Sequence, residues 1–235
     1  MTPRRGDASP VTRGAYRAER AAALSGVPLR TVYYWARHEV FSPSVSKSKI
    51  MLWSWADLIA LRAIYWLRSK KPESASRPAT MNKVRDFLSA VEFAFGERLG
   101  EALAERAFVL RLDKNGEIYF SIENNFVKMM QKGAAQVASP ELLVDLLSDF
   151  NIHAGVRGPH LVVPRPNLRI MPGKLGGEPH VEGTRLETRS IVALLNRGAG
   201  AEDVLALYPF LKRIDISEAS DLEQQLINNL TSIAA

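Results

Sequence analysis

The chain has 235 residues, 46% of them hydrophobic and 24% charged, which fits one large or two smaller globular domains and excludes a collagen-like or wholly disordered protein. The absence of cysteine excludes a disulfide framework, a thiolate metal site and a cysteine nucleophile. The net charge of +6 is unevenly distributed, because residues 1–77 contain 14 Lys and Arg against 5 Asp and Glu, whereas residues 78–235 contain 17 against 20. Concentrated positive charge favours a polyanionic partner, of which nucleic acid is the commonest.

The longest apolar stretch, residues 50–67, is interrupted by Asp57 and Arg62. We therefore expect an amphipathic helix in water and not a membrane span. The basic start of the chain has no apolar signal region, so we expect a cytoplasmic protein.

The N-terminal region begins with a predicted disordered tail over residues 1–15. The alanine-rich residues 16–26 predict a helix that ends at Gly26. Residues 29–37 predict a second, short helix after Pro28. Two helices joined by a sharp glycine turn are typical of a helix-turn-helix.

The segment after these helices predicts a wing. Residues 41–49 are rich in serine and lysine between apolar residues, which favours a small β-hairpin over a helix. A third helix is expected to begin near Ser54. Residues 16–70 together are therefore predicted to form a winged helix-turn-helix.

A linker is predicted at residues 69–80, which contain two prolines and three serines, and it leads into the middle region, residues 71–160. A long amphipathic helix is predicted next, and its face either forms a subunit interface or is covered within the chain. That face contains Val84, Phe87, Leu88, Val91, Phe95, Leu99 and Leu103.

Two further elements are predicted before the C-terminal region. The Asn115-Gly116 pair between residues 109–112 and 118–122 predicts a β-hairpin, because both central residues of a type I′ turn need positive φ. A short helix is predicted to start at Ser139.

The C-terminal region, residues 161–235, predicts a three-helix domain. Short extended segments are expected at residues 161–163 and 168–171, and helices at residues 189–196, 201–207 and 215–230. The predicted fold class is therefore mainly α with minor β.

Motifs for enzyme chemistry are missing from the sequence. No phosphate-binding loop and no Gly-x-Ser-x-Gly nucleophile motif occur, and the four histidines have no metal-ligand spacing. Glu97, Glu101 and Glu105 recur at helical spacing beside arginines, as on a solvated helix face. We predict that the protein is not an enzyme and binds no metal or cofactor.

The second predicted helix and the wing carry the candidate DNA-binding residues. Val32 and Trp35 are expected to face inward, which leaves donors for phosphates and base edges on the outside. The candidates are Arg30, Thr31, Tyr33, Tyr34, Arg37 and His38 on the helix and Lys47 and Lys49 on the wing.

Residues 16–68 resemble the MerR-type winged helix-turn-helix. The resemblance rests on Leu24-Ser25-Gly26-Val27, on residues 31–35 and on the segment 52–62. Tyr33 stands where the family usually has arginine, and Glu39 where it usually has glycine.

The C-terminal region is similar to a small trihelical domain of unknown function, whose Gly-x-Pro-x-x-x-Gly-Thr-Arg turn is matched by Gly177, Pro179, Gly183, Thr184 and Arg185. Histidine replaces the usual aliphatic residue at position 180. The order of the two domains resembles VapB-type antitoxins. That resemblance implies a DNA-binding protein that neutralises a VapC-like PIN-domain ribonuclease.

The predicted function is therefore an antitoxin that binds its own operator DNA, as a homodimer since helix-turn-helix proteins commonly read paired half-sites. A stand-alone MerR-like regulator that senses a small ligand is the alternative. The candidate partner-binding residues for the toxin are Arg185, Arg189 and Arg197, with Leu222 and Leu226 on an apolar stripe of the last helix. That stripe either meets the toxin or closes the protein's own core.

Overall fold

The computed structural model describes residues 13–70, 77–105, 109–122, 125–128, 145–153 and 156–231. Most of the predicted tail, part of the predicted linker and the helix predicted at Ser139 lie outside these residues. Residues 13–15 were predicted to be disordered, and that is wrong. The Arg13 carbonyl accepts a hydrogen bond from the Trp55 amide at 3.0 Å, and the Ala15 amide donates one to the Gly176 carbonyl at 3.0 Å.

The N-terminal region contains β1 (Tyr16–Arg17), α1 (Ala18–Ser25), α2 (Leu29–Arg37), β2 (Leu52–Trp53) and α3 (Trp55–Arg68). The predicted helix over residues 29–37 is confirmed. The preceding helix begins at Ala18 and not at Tyr16, because Tyr16 and Arg17 pair antiparallel with β2.

The hairpin predicted over residues 41–49 is reduced to one isolated antiparallel bridge, between Ser46 and Leu52, and the rest of the segment is irregular. A buried carboxylate holds it in place instead of a strand ladder: Asp57 accepts hydrogen bonds from the Ser44 amide at 2.8 Å and the Ser44 hydroxyl at 2.7 Å.

Helix α3 lies at the centre of the fold. Ser54 and Asp57 form a capping box at its start, as expected for a helix beginning near Ser54. The expected amphipathic pattern is wrong, since Asp57 and Arg62 are 2% and 0% exposed. Along the described part of the chain, no helix is both long and apolar enough to cross a membrane.

The middle region contains α4 (Met81–Phe95), α5 (Leu99–Glu105), β3 (Val109–Leu112), β4 (Ile118–Ile122) and β5 (Asn125–Lys128). The predicted hairpin is confirmed as β3–β4, and β5 extends it to three antiparallel strands. The predicted type I′ turn is wrong, because only Gly116 of the Asn115-Gly116 pair has positive φ, of 73°, and its amide donates to the Asp113 carbonyl at 3.0 Å.

The long helix predicted in this region is broken. Gly96, with φ of 67°, ends α4 in the left-handed conformation. Val84, Phe87 and Val91 of α4 are buried in the protein's own core, so the apolar face is covered within the chain and not kept for a second subunit.

The remaining elements are β6 (Phe150–His153), β7 (Val156–Gly158), β8 (Leu168–Arg169), β9 (His180–Val181), α6 (Thr188–Asn196), α7 (Ala201–Leu207) and α8 (Arg213–Thr231). The three predicted C-terminal helices are confirmed as α6, α7 and α8. The extended segment predicted at residues 161–163 is a bend, where Leu161 is buried.

The two ends of the chain pack on each other. Helix α8 contacts both α6 and α1, and Leu222 and Leu226 of α8 are 0% and 2% exposed. The described residues are mainly helical with small antiparallel sheets, as the predicted fold class requires. The C-terminal three-helix unit therefore packs, through α8, on α1 of the predicted helix-turn-helix.

Candidate nucleic-acid interface

The turn between α1 and α2 allows a close helix crossing. Gly26 ends α1 with φ of 72°, and its amide donates to the Ala22 carbonyl at 2.9 Å. Its neighbourhood has no room for a side chain, because a Cβ there would lie 2.7 Å from the Gly158 amide nitrogen. Val32 and Trp35 are buried as predicted, which fixes the rotation of α2 about its axis.

The outer face of α2 carries most of the predicted DNA-binding residues. Arg30, Tyr34, Arg37 and His38 are exposed and recur at three- and four-residue steps, so they lie on one side of the helix. The Tyr34 and His38 rings are in contact at a centroid distance of 4.2 Å, with their planes tilted by 42°. Thr31 and Tyr33 are half-buried at the edges of this face.

Helix α2 ends in a Schellman motif. The Val40 amide donates to the Trp35 carbonyl at 2.9 Å and the Glu39 amide to the Ala36 carbonyl at 3.4 Å. This motif needs a left-handed residue, and Glu39 has φ of 52°. A glycine at this position would adopt the same conformation without strain.

A cleft of about 330 Å³ lies between α2 and the segment that precedes β2. Three cations line it, namely Arg17, Arg37 and Lys49, together with Tyr33 and Glu19. The Tyr33 hydroxyl donates to Glu19 at 2.7 Å, and this hydrogen bond, with burial, raises the pKa of Tyr33. Arg37 lies over the Tyr33 ring, 5.8 Å from its centroid. The Tyr33 ring therefore positions Arg37, while the Tyr33 hydroxyl is hydrogen-bonded to Glu19.

Two features of this cleft differ from the sequence analysis. Lys47 was predicted beside Lys49, but it lines another cleft, of about 650 Å³, with Arg85 and Arg98. Arg17 was missed, because the pairing of β1 with β2 brings it to the cleft and the sequence gives no local sign of that pairing.

Arg62 holds the helix-turn-helix turn against the middle region. Its side chain is fully buried and stands 5.2 Å from the Phe150 ring centroid. Burial lowers the pKa of Arg62 to about 9, which still leaves a cation at neutral pH. It donates five hydrogen bonds of 2.6–3.1 Å to backbone carbonyls, those of Leu24, Ser25, Leu146, Ser148 and Pro159.

A second buried network joins α1 to the C-terminal region. Arg20 bonds Glu178 at 2.8 Å and both carboxylate oxygens of Glu223 at 2.7 and 2.8 Å. Thr188 donates to Glu223 at 2.5 Å. Burial acts to raise the pKa of Glu223, but the hydrogen bond and charge of Arg20 outweigh it, so the pKa is lowered.

The Gly-Thr-Arg turn has mainly local contacts. Thr184 donates to the Val181 carbonyl at 2.9 Å and accepts from the Leu186 amide at 3.1 Å, as predicted for a residue that satisfies local backbone groups. Arg185 is exposed and makes no hydrogen bond to the described residues.

The candidate partner-binding residues do not form one surface. Arg185 and Arg197 are exposed, whereas Arg189 is ion-paired with Glu187 at 2.5 Å. Leu222 and Leu226 lie in the core, so a groove-binding stripe on α8 is wrong, because α1 and α6 cover it.

His180 is buried in the C-terminal unit without a full set of partners. Its Nδ1 lies 3.0 Å from the Glu178 carbonyl, and its Nε2 has no hydrogen-bond partner. Burial lowers the pKa of His180. Within the described ranges, no group of three or more His, Asp or Glu is placed to hold a metal ion.

Comparison with known proteins gives one match in the C-terminal region and one over most of the chain. Residues 169–221 match the model of a family described as a protein of unknown function (DUF433). The chain is also similar to the X-ray crystal structure of Rv2018 from Mycobacterium tuberculosis, with 12% identity and a TM-score of 0.42 over 91% of this chain and 98% of that one. None of the curated proteins matches the sequence.

Proposed function

We propose that this protein is a DNA-binding regulator of the antitoxin type, which reads its own operator with α2. The observation that carries the DNA-binding part is the exposed face of α2, where four polar side chains lie together and one of them, Arg37, also lines a cleft with Arg17 and Lys49. A helix with an exposed polar face and a buried apolar face, projecting from a helix-turn-helix, suits the major groove.

The two groups of residues have different tasks in this proposal. Arg30 and Tyr34 lie on the open face of α2 and reach base edges. Arg17, Arg37 and Lys49 surround the cleft and bind a backbone phosphate, and Glu19 is the one acidic residue among the described residues that line it.

The test is a fluorescence-anisotropy titration of the full chain with a duplex from upstream of its own gene and with an unrelated duplex. Arg30→Ala weakens binding to the first duplex more than to the second, whereas Arg17→Ala weakens both alike. Arg197→Ala is the matched control, since Arg197 is exposed in the C-terminal region. Equal affinity of all four proteins for both duplexes contradicts the proposal.

Neutralisation of a VapC-like ribonuclease is the second part of the proposal, and it rests on the sequence resemblance. Arg185 and Arg197 remain available for an acidic, metal-dependent active site, since both are exposed. The purified full chain is expected to inhibit a PIN-domain ribonuclease encoded beside its gene, and Arg185→Gln is expected to weaken the inhibition. Unchanged ribonuclease activity at a molar excess of the unmodified protein contradicts this part.

The proposed homodimer follows from paired half-sites. Light scattering of the full chain bound to its operator duplex is expected to give two protein chains per duplex. A single chain on every saturated duplex contradicts the dimer.

The alternative is a regulator that senses a small ligand, and one cleft favours it. About 690 Å³ lies open between β7 and α8, lined by Arg157, His160, Arg165 and Asp221 among others. A regulator of this kind binds its operator without any ribonuclease and releases it when a small metabolite is added, so a partner ribonuclease beside the gene decides for the antitoxin.

A further inference from the structure

The N-terminal strand lies between the cationic cleft and a loop of the C-terminal region. Arg17 lines the cleft, while Ala15 bonds Gly176 at 3.0 Å and the Tyr16 hydroxyl donates to the Gly177 carbonyl at 2.7 Å. The loop over residues 171–177 therefore continues the surface that begins at α2.

We propose that this loop extends the DNA-binding surface, with Lys174 and Arg13 binding backbone phosphates beside the cleft of Arg17. The inference rests on the proposed DNA binding and assigns a contact to the C-terminal region. It makes that region part of the DNA-binding surface as well as a support for α1.

Arg13 and Arg17 are both exposed, whereas Tyr16 between them is buried. Gly14, with φ of 94°, turns the chain between Arg13 and β1. The guanidinium of Arg13 lies against the loop, with Nη1 3.4 Å from where a Cβ of Gly173 would stand.

The charges on this surface are not neutralised within the protein. Arg13, Arg17 and Lys174 form no ion pair with the described residues. Nearby cations behave differently, since Arg20 is paired with Glu178 and Arg169 with Glu182. Unpaired cations on adjacent segments repel each other, and a polyanion lying across them removes that repulsion.

The backbone of the loop is also held in place by the strand. A Cβ on Gly177 would lie 2.0 Å from the Tyr16 hydroxyl, which means that the loop backbone contacts the strand directly. Residues Leu175, Gly176 and Gly177 all have positive φ, between 53° and 88°. Because Arg13 lies against Gly173, the residue before Lys174, the loop backbone needs no ordering when both cations bind phosphates.

The test measures the affinity of the full chain for a duplex at several salt concentrations. Loss of one phosphate contact lowers the slope of log K against log[salt] by about 0.9, so the affinity ratio between the unmodified protein and Lys174→Gln shrinks roughly 3-fold from about 50 to about 200 mM salt. Arg13→Gln is expected to give the same change, and Lys174→Arg to restore the slope. Lys212→Gln, a substitution in the C-terminal region away from the strand, is expected to leave the slope unchanged.

The outcomes separate this inference from the proposed function. A protein that binds no duplex at any salt concentration refutes both. Salt-dependent binding by the unmodified protein with an unchanged slope in Lys174→Gln and Arg13→Gln refutes the inference alone. A lower melting temperature of Lys174→Gln with an unchanged slope also refutes it, because Lys174 would then act on folding only.

Discussion

Replacement of Arg62 by methionine tests how the middle region holds the helix-turn-helix. Methionine fills much of the same space but donates no hydrogen bond, so it leaves five buried carbonyls without their donor. Leaving a buried polar group without its partner costs about 1–3 kcal/mol, and the five bonds do not add independently. Burial disfavours the charge of Arg62, so its removal offsets part of this loss. We therefore expect the free energy of unfolding to fall by about 4 kcal/mol.

The assay is urea unfolding followed by tryptophan fluorescence, since Trp53, Trp55 and Trp66 are buried around α3. A loss of this size corresponds to a melting temperature lower by about 10 °C in a protein of this length. Arg68→Met is the matched control on the same helix, because Arg68 is exposed and donates one bond, to the Ala79 carbonyl at 2.7 Å. It is expected to cost about 1 kcal/mol. If Arg62→Met costs no more than Arg68→Met, the assigned role of Arg62 is wrong.

Three further substitutions test particular features of the fold. Glu39→Gly removes left-handed backbone strain of about 1–2 kcal/mol, but it raises the entropy of the unfolded chain, which costs about 0.5–1 kcal/mol. Urea unfolding is therefore expected to show a net increase in the free energy of unfolding, which Glu39→Ala does not give. Gly177→Ala is expected to lower the free energy of unfolding by about 3 kcal/mol, because its Cβ would meet Tyr16. Gly183→Ala, also at positive φ but with open space around it, is expected to cost about 1 kcal/mol. Equal losses of stability in thermal melts would contradict the close contact at Gly177. His180 has a lowered pKa, so the unfolded chain takes up its proton first and stability falls as the pH drops below about 6.5. Between pH 7 and about 5, the melting temperature should therefore fall less in His180→Leu than in His38→Gln. This pH range lies above the one in which Glu223 titrates. Parallel curves for the two variants would show that His180 is not the source of the pH dependence.

Elements with strong local signals could be predicted from the sequence. The predicted and the observed bounds of α2 agree at both ends. Gly26 and Pro28 define where the helix starts, and Val32 and Trp35 define its buried face. The β3–β4 hairpin likewise follows from the Asn115-Gly116 turn. These signals lie within a few residues of the structure that they determine.

Features that depend on distant contacts could not be predicted. Arg62 reads as a solvent-facing residue that interrupts an apolar stretch, yet its partners lie up to 97 residues away in the chain. The sequence of the stripe on α8 is compatible with a binding surface as well as with core, and the positions of α1 and α6 decide for core. The cleft around Arg17 depends in the same way on the pairing of β1 with β2.

Photo-crosslinking to DNA tests the central claim most directly. A benzoyl-phenylalanine is placed at Tyr34 on α2 or at Phe210 in the C-terminal region, two aromatic positions that are 54% and 58% exposed. The full chain is then irradiated with a labelled duplex from upstream of its own gene. We expect a covalent protein–DNA product from position 34 and none from position 210. A product from position 210 with none from position 34 would contradict the assignment of α2 as the DNA-reading helix.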